Sequence, residues 1–456
     1  MSAISPGETS TTLSPVRRLD RLPVTSSHLF WVALLGLAYL IETFDNIAFG
    51  FLAPAIRAEW GLSLGQIGLI TSAVFVGMLV GAVGGGRLSD AHGRKPVLVW
   101  ASVFYSAASL MSALAPNIEV LFASRVLTGI GVQAATGVIM VYLTEMFPSH
   151  ARGRFFSAVS FFGFLASPLA SMTALTVVPT GPGAWRWVFA LGAVGVVIAV
   201  TVAVGLPETV RWLDSHGRQD EALRVVERME AAASKNNPLP PASPVEGPID
   251  QENGSIRDLF QHGYARRLVV LASTFAILVY CFYGFVSWVA TVLVGRGMPQ
   301  SEALEIVRNI SLGSIFSPLI LYTVADRIER KTAILIAGSI TGIAMMVFGS
   351  TTDRGLTIAS GFVVIVGLGA LTTSFYMYLP EVFPTAIRGV GAGITAGVGR
   401  IAGIVSGVTI AAIYASQGDG PLYMGLGAGL VVMGVITAAL GPKTTRRSLE
   451  AISHKS

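Results

Sequence analysis

Apolar residues run through this chain in long blocks, each closed by a short polar stretch. A hydrocarbon layer of about 30 Å needs about 20 apolar residues per spanning helix. Twelve blocks meet that need, at roughly 29–54, 66–88, 96–115, 119–143, 154–178, 185–206, 266–293, 302–325, 332–350, 355–379, 387–414 and 421–441. One polar segment shows the period of an amphipathic helix, Asp220-Glu-Ala-Leu-Arg-Val-Val-Glu-Arg-Met229. It gives way to Asn236-Asn-Pro-Leu-Pro-Pro-Ala-Ser-Pro244, which is linker composition. The pattern therefore divides the chain into a tail (1–28), six spans (29–206), a central loop (207–262), six spans (263–442) and a second tail (443–456).

Composition points the same way. The chain is 52% hydrophobic and 12% charged, against about 25% charged in an ordinary soluble domain. At 456 residues it is too long to be one buried core of that polarity. Lys and Arg gather on one side of the spans, at Arg17, Arg18, Arg21, Arg87, Arg94, Lys95, Arg152, Arg154, Arg327, Arg330, Lys331, Arg388, Lys443, Arg446 and Arg447. By the positive-inside bias, both termini and the central loop are expected in the cytoplasm of a multi-pass cell-membrane protein. The formal net charge of +5 then reflects topology and anionic lipid. No tract interleaves arginine with aromatics as a nucleic-acid groove would, so that partner is excluded. The start of the chain lacks a cleavable signal pattern, and the first span is expected to serve as the insertion signal.

The chain also repeats itself. Tyr142-Leu-Thr-Glu-Met-Phe-Pro-Ser-His-Ala-Arg-Gly153 returns as Tyr378-Leu-Pro-Glu-Val-Phe-Pro-Thr-Ala-Ile-Arg-Gly389, 236 residues later. Asp90-Ala-His-Gly-Arg-Lys95 meets Asp326-Arg-Ile-Glu-Arg-Lys331 at the same offset. One offset shared by two motifs marks a duplicated unit, and parallel repeats of this kind are a transporter architecture. Glycines four apart, Gly77/Gly81/Gly85 and Gly399/Gly403/Gly407, suit close helix packing in lipid.

Gly86-Arg-Leu-Ser-Asp-Ala-His-Gly-Arg-Lys95, Arg125-Val-Leu-Thr-Gly-Ile-Gly131, the two Tyr-x-x-Glu-x-x-Pro-x-x-x-Arg-Gly stretches and Pro207-Glu-Thr-Val-Arg211 together resemble the signature motifs of the major facilitator superfamily. The resemblance implies an all-α membrane protein, with twelve transmembrane helices in two pseudo-symmetric six-helix bundles around a central cavity that opens alternately to either side. Within the superfamily the chain is most similar to the sugar-porter-like branch and the aromatic-acid:proton symporters. Glu42-Thr-Phe-Asp45, followed by Gly50 and Pro54, looks like the latter group's first-helix Asp-Gly-Phe-Asp motif, with Glu and Thr at its first two positions. Gly397-Val-Gly-Arg-Ile401 resembles their eleventh helix.

The loop charges Asp90, Arg94, Glu145 and Arg152 and their repeats Asp326, Arg330, Glu381 and Arg388 read as a cytoplasmic gate. Opposite charges at these helix ends can pair when that side closes. A surface pair is worth only about 0–1 kcal/mol, so the gate biases the conformations without locking either.

Charges inside the spans are the sharper signal. An ionisable group in hydrocarbon costs at least about 2.5–3.5 kcal/mol and is a functional hypothesis by default. Glu42, Asp45, Arg125 and Arg400 lie deep, whereas Glu302, Glu305 and Arg308 lie near the outer mouth of the eighth span. All four deep charges break the repeat, meeting Leu278, Cys281, Gly361 and Phe164 at the 236-residue offset, as an asymmetric site would. Asp45 and Arg125 can share one level, with Glu42 one turn along the same helix face. In the sugar-porter resemblance Asp45 and Arg125 match a proton-coupling pair. Asp45 is then the protonation site and Arg125 its switchable counter-ion, the competing reading being a permanent salt bridge between helices. Arg400 can hold a carboxylate through two parallel hydrogen bonds. Its competitor is an ion pair with Glu42. Gln133, Tyr280, Tyr283 and Trp288 are candidate lining residues.

These residues point to symport of a proton with a small carboxylate, aromatic or related, by a monomer in the lipid bilayer that uses no cofactor besides H+ as coupling ion. A sugar or polyol porter and a carrier of cationic or zwitterionic metabolites are the alternatives. The six histidines fall in loops, tails or span edges, the single Cys281 lies in an apolar run, and no metal site or phosphate loop is present. Gly61-Leu-Ser-Leu-Gly65 matches a nucleophile pattern, but between two spans and not on a strand-to-helix turn, so an enzyme is not expected.

Overall fold

A computed structural model describes residues 14–148, 150–234, 259, 264–318 and 328–442. Among these residues eleven helices are long and apolar enough to cross a membrane. They are Ser26–Trp60, Leu64–His92, Arg94–Ala113, Ile118–Met146, Arg152–Thr180 and Trp185–Gly205 in the first half, then Tyr264–Val286, Arg330–Ser350, Arg354–Leu379, Ile387–Gln417 and Asp419–Leu440. The predicted eighth span begins with the helix Gln300–Ser311 and a 3-10 stretch, Leu312–Phe316; its end lies outside the described residues. Spans are numbered below in this order, with Gln300–Phe316 as the eighth.

Local chemistry sets the helix ends. Ser63 and Gln66 close a capping box at the start of the second span. Asn117 and Asp353 accept the backbone N–H groups of Val120 and Leu356 at the starts of the fourth and tenth. The first span, expected over about 29–54, continues to Trp60 with Pro54 inside the helix. Gly93, with φ of 100°, joins the second span directly to the third. Most other residue types avoid that conformation. Among the described residues the fifth span ends 3-10 over Val178–Thr180, the sixth is 3-10 over Leu191–Val194, the seventh pauses at Ser287–Trp288 before Val289–Gly295, and the eighth turns 3-10 at Leu312.

The duplication survives in the packing. Tyr142 donates to the Pro207 carbonyl at 3.0 Å, and its repeat Tyr378 donates to the Pro442 carbonyl at 2.7 Å. Gly77, Gly81 and Gly85 seat the second span on Val126, Ile130 and Ala134 of the fourth, where a Cβ would collide. Across the halves, Gly68 faces Gly407, and Gly403 receives the Phe75 ring. Ser72 donates to the Ile404 carbonyl at 2.6 Å, and Ser314 to that of Phe164 at 2.7 Å. These contacts run from the end opposite the basic loops to about mid-depth, so the two halves are closed together at that far end.

At the basic end the amphipathic helix expected at 220–229 spans Gln219–Ala233 and buries Ala222, Val226, Met229 and Ala233. A short helix, Pro15–Asp20, docks beside it through Arg18 and Arg21, which both reach Glu230, at 2.6 and 2.7 Å. The expected linker 236–244 lies outside the described residues.

Candidate functional site

The deep charges of the first half meet. Asp45 and Arg125, each 1% exposed, pair at 2.8 Å through Oδ2 and Nη1. Arg125 Nη2 also donates to the Asp45 carbonyl at 3.3 Å, and the guanidinium lies over the rings of Phe49 and Phe189. Such ring faces favour a cation. The Ser109 hydroxyl contacts Asp45 Oδ1 and, at 2.8 Å, the Phe189 carbonyl oxygen. One turn along the first span, Glu42 is fully buried and accepts from Thr136 at 2.7 Å through Oε2. Its Oε1 has no hydrogen-bond partner among the described residues.

Arg400 is half-buried at about mid-length of the eleventh span. Its Nη1 lies 3.7 Å from the Met78 sulfur, and no carboxylate among the described residues pairs with it. The Glu42–Arg400 ion pair considered from the sequence is thus not formed. Tyr39 and Tyr283 lie within electrostatic reach of Arg400, with Asn46 beside Tyr283 and Tyr376 near both rings. Tyr283 also stacks edge-on against Phe75 at 4.4 Å. A small void lined by Asn46, Thr71, Phe75, Arg125, Tyr283 and Ser287 runs between this cluster and Arg125.

The other lining candidates are less central. Tyr280 hydrogen-bonds Thr409 at 2.8 Å within the second half. Trp288 is 1% exposed in the packed core, at the pause in the seventh span. Gln133 is half-buried on the fourth span, one turn before Thr136. Sequence reasoning missed Thr136, Ser109, Tyr39, Asn46 and Tyr376. Thr136 stands eleven residues, three helical turns, after Arg125, so its shared face was readable. Nothing local marks Tyr376.

The gate charges join helix ends within each half. Arg94 binds Glu145 at 2.7 Å and Asp90 at 3.1 Å; its repeat Arg330 binds Glu381 at 3.5 Å. Arg152 reaches Asp20 at 3.2 Å, Arg388 sits in the first turn of the eleventh span, and Asp326 lies outside the described residues. Glu208, not singled out from the sequence, accepts the backbone N–H groups of Arg94 (2.9 Å) and Thr209 (2.8 Å), and that of Lys95. Burial pushes its carboxyl above the usual range, and those N–H groups with the Arg94 charge offset only part of the rise.

The comparisons with known proteins agree with this architecture. The family model described as sugar (and other) transporter matches residues 42–455. The Bacillus subtilis protein YyaJ, named for metabolite transport, is 31% identical over 434 residues, covering 95% of this chain and 96% of that one. The niacin transporter NiaP of Acinetobacter baylyi is 27% identical, covering 96% and 99%. The xylose transporter XylE from E. coli, solved in a partially occluded inward open conformation, superposes with a TM-score of 0.75 at 18% identity, over 93% of this chain and 100% of that one. With the duplicated twelve-span plan already in view, the match along nearly the whole length makes this chain a member of the sugar (and other) transporter family, a membrane transporter of the major facilitator fold and not an enzyme.

Proposed function

We propose that this transporter carries a small aromatic or related carboxylate together with a proton, as a monomer in the cell membrane with both termini in the cytoplasm. The observation that carries the reading is Arg400, a half-buried cation at mid-depth facing aromatic rings, with no carboxylate among the described residues paired to it. Leaving a guanidinium without a counter-ion in hydrocarbon is costly. A cargo carboxylate would supply the missing charge through a bidentate contact, and Tyr39, Tyr283 and Tyr376 would flank a planar ring. The relative named as a niacin transporter handles a cargo of that chemistry.

Asp45 is the proton site in this reading. Arg125 is its counter-ion while the pair is closed, and a local shift of the fourth span against the first would free Asp45 to exchange its proton. A related protein is named an arabinose-proton symporter, in keeping with proton coupling on this scaffold. Glu42 is the second acid, beside the cargo space. The gate charges brace the helix ends of each half and bias the basic side between open and closed; the coupling ion is H+, with no other cofactor.

Purified protein in liposomes tests this. An inward proton gradient should drive accumulation of nicotinate or benzoate over arabinose and xylose, and Asp45→Asn should abolish accumulation while leaving counterflow exchange. Accumulation of the neutral sugars but of neither carboxylate would replace this reading with the sugar-porter one.

A further inference from the structure

The third span carries hydroxyls on one face, at Ser102, Tyr105, Ser106 and Ser109, all buried between helices; Tyr105 shares a buried cluster with Phe75 and Met78, against which Tyr283 packs. Ser109 touches Asp45. The Tyr105 and Ser106 hydroxyls lie against each other, and neither they nor Glu42 Oε1 has a well-aligned hydrogen bond among the described residues. Polar atoms this poorly satisfied in one buried region need an explanation, and the ordinary one is bound water, which takes two to four such partners.

The geometry fits one. Tyr105 lies within electrostatic reach of both Glu42 and Asp45, which stand three residues apart on one face of the first span. Opposite this face the sixth span presents Gly192 and Gly195. A Cβ on Gly195 would collide with both the Ser106 and the Tyr105 hydroxyls, which places those two oxygens within a single water's span of each other. A Cβ on Gly192 would collide with Ser109 Oγ and come within 3.0 Å of Asp45 Oδ1. Between these glycines the helix is 3-10, so residues three apart eclipse and both glycines pack their bare faces against the same row of hydroxyls. Ser109 also has one proton for two acceptors, Asp45 Oδ1 and the Phe189 carbonyl. A protonated Asp45 resolves that conflict by donating to Ser109, which then donates to Phe189.

We propose that Ser109, Ser106 and Tyr105, completed by bound water, form a buried hydrogen-bonded chain that carries a proton between Asp45 and Glu42. The proposal rests on the reading of Asp45 as the proton site. In one passage the O–H bond at Asp45 Oδ1 breaks as one forms on Ser109 Oγ. The Ser109 proton moves to water, the shift passes along Ser106 and Tyr105, and the last bond formed is O–H on Glu42 Oε1. One proton moves, Asp45 is left ionised against Arg125, and Glu42 becomes neutral beside the cargo space. The proton route thus runs inside the first bundle and ends at the acid beside the proposed cargo space.

The test is hydrogen–deuterium exchange at the Glu42 carboxyl, followed by infrared difference spectroscopy on the full chain in lipid at acidic pD. The band is assigned by its loss in Glu42→Gln. Tyr105→Phe removes one hydroxyl, beside Ser106, and keeps the buried ring; in a variant that folds as the wild type does, a purely structural role leaves exchange unchanged. The chain requires exchange to slow by about a hundredfold, the low end of what a positioned proton carrier contributes. Ser106→Ala should slow it as well, and serves if Tyr105→Phe does not fold. Wild-type exchange in the folded variants would overturn the relay. Uphill uptake retained in Asp45→Asn would instead sink the proposed function, so the two failures are distinguishable.

Discussion

Replacing both members of the Asp45–Arg125 pair separates its two roles, holding helices and handling a proton. The pair is 1% exposed on each side and closes at 2.8 Å, so neither charge has water to fall back on. Asp45→Asn leaves a guanidinium buried with no anion, and arginine cannot shed its proton. Breaking a buried pair in this way costs about 3–5 kcal/mol. Arg125→Gln should cost less, because a stranded carboxyl can acquire a proton. The double variant Asp45→Asn with Arg125→Gln strands nothing and keeps a hydrogen bond, so most of the loss should return. A coupling of about 3 kcal/mol should appear in the double-mutant cycle. The assay is thermal unfolding of the purified proteins, run beside gradient-driven nicotinate uptake in liposomes. Stability should recover in the double variant while accumulation stays lost. A double variant that is stable and still accumulates cargo would make the pair a brace and nothing more, and the proton assignment would fail.

Arg400→Ala should weaken carboxylate binding by roughly ten- to hundred-fold, the worth of about 1.5–3 kcal/mol for a charged hydrogen-bonded contact, with no change for neutral sugars in the same thermal-shift titration. Gly68→Val places bulk against the Gly407 backbone. It should hold the far end open, seen as longer spin-label distances between the second and eleventh spans. Burial raises the Glu230 carboxyl, but the Arg18 and Arg21 contacts outweigh it and leave its pKa below the usual value. A depressed carboxyl stabilises above its unfolded pKa of about 4.3 and loses that contribution as pH falls through the folded value. Amide exchange in Pro15–Asp20 should therefore rise on acidification in that window and stay flat above it.

The spans and the duplication were legible because lipid demands them residue by residue. A block of apolar side chains has one stable fate in hydrocarbon, and the 236-residue offset is arithmetic on the chain. The deep charges were legible for the complementary reason, that an ionised group in such a block is an expense. What could not be read was the uncharged part of the site. Ser109, Thr136 and Tyr105 are ordinary residues on apolar spans, and only the crossing of the first, third, fourth and sixth spans gives them partners. The first span runs past its expected bound, through Pro54 to Trp60, because in lipid neighbouring helices let a chain continue past proline. The gate motifs were visible, but not that Arg94 and Arg330 spend their charge inside their own halves.

That last point bears on how the halves could move. Residues that repeat, such as Arg94 with Arg330, Glu145 with Glu381 and Tyr142 with Tyr378, stiffen each bundle from within. Residues that do not repeat divide unequally: Asp45, Glu42 and Arg125 sit in one bundle and Arg400 in the other. Rocking two rigid bodies therefore changes the distance from Arg400 to the acids while leaving the distances among the acids fixed. In the proposed cycle an anion bound at Arg400 would offset that arginine's charge whenever rocking brings it towards Glu42, and so would favour a proton on Glu42. Cargo and proton would then each bind better in the presence of the other, by the same factor. The linkage has a direct consequence: nicotinate affinity should strengthen as pH falls in the wild type, and that dependence should flatten in Glu42→Gln. A pH dependence that survives the substitution unchanged would show that the acid beside the cargo is not the one that senses it.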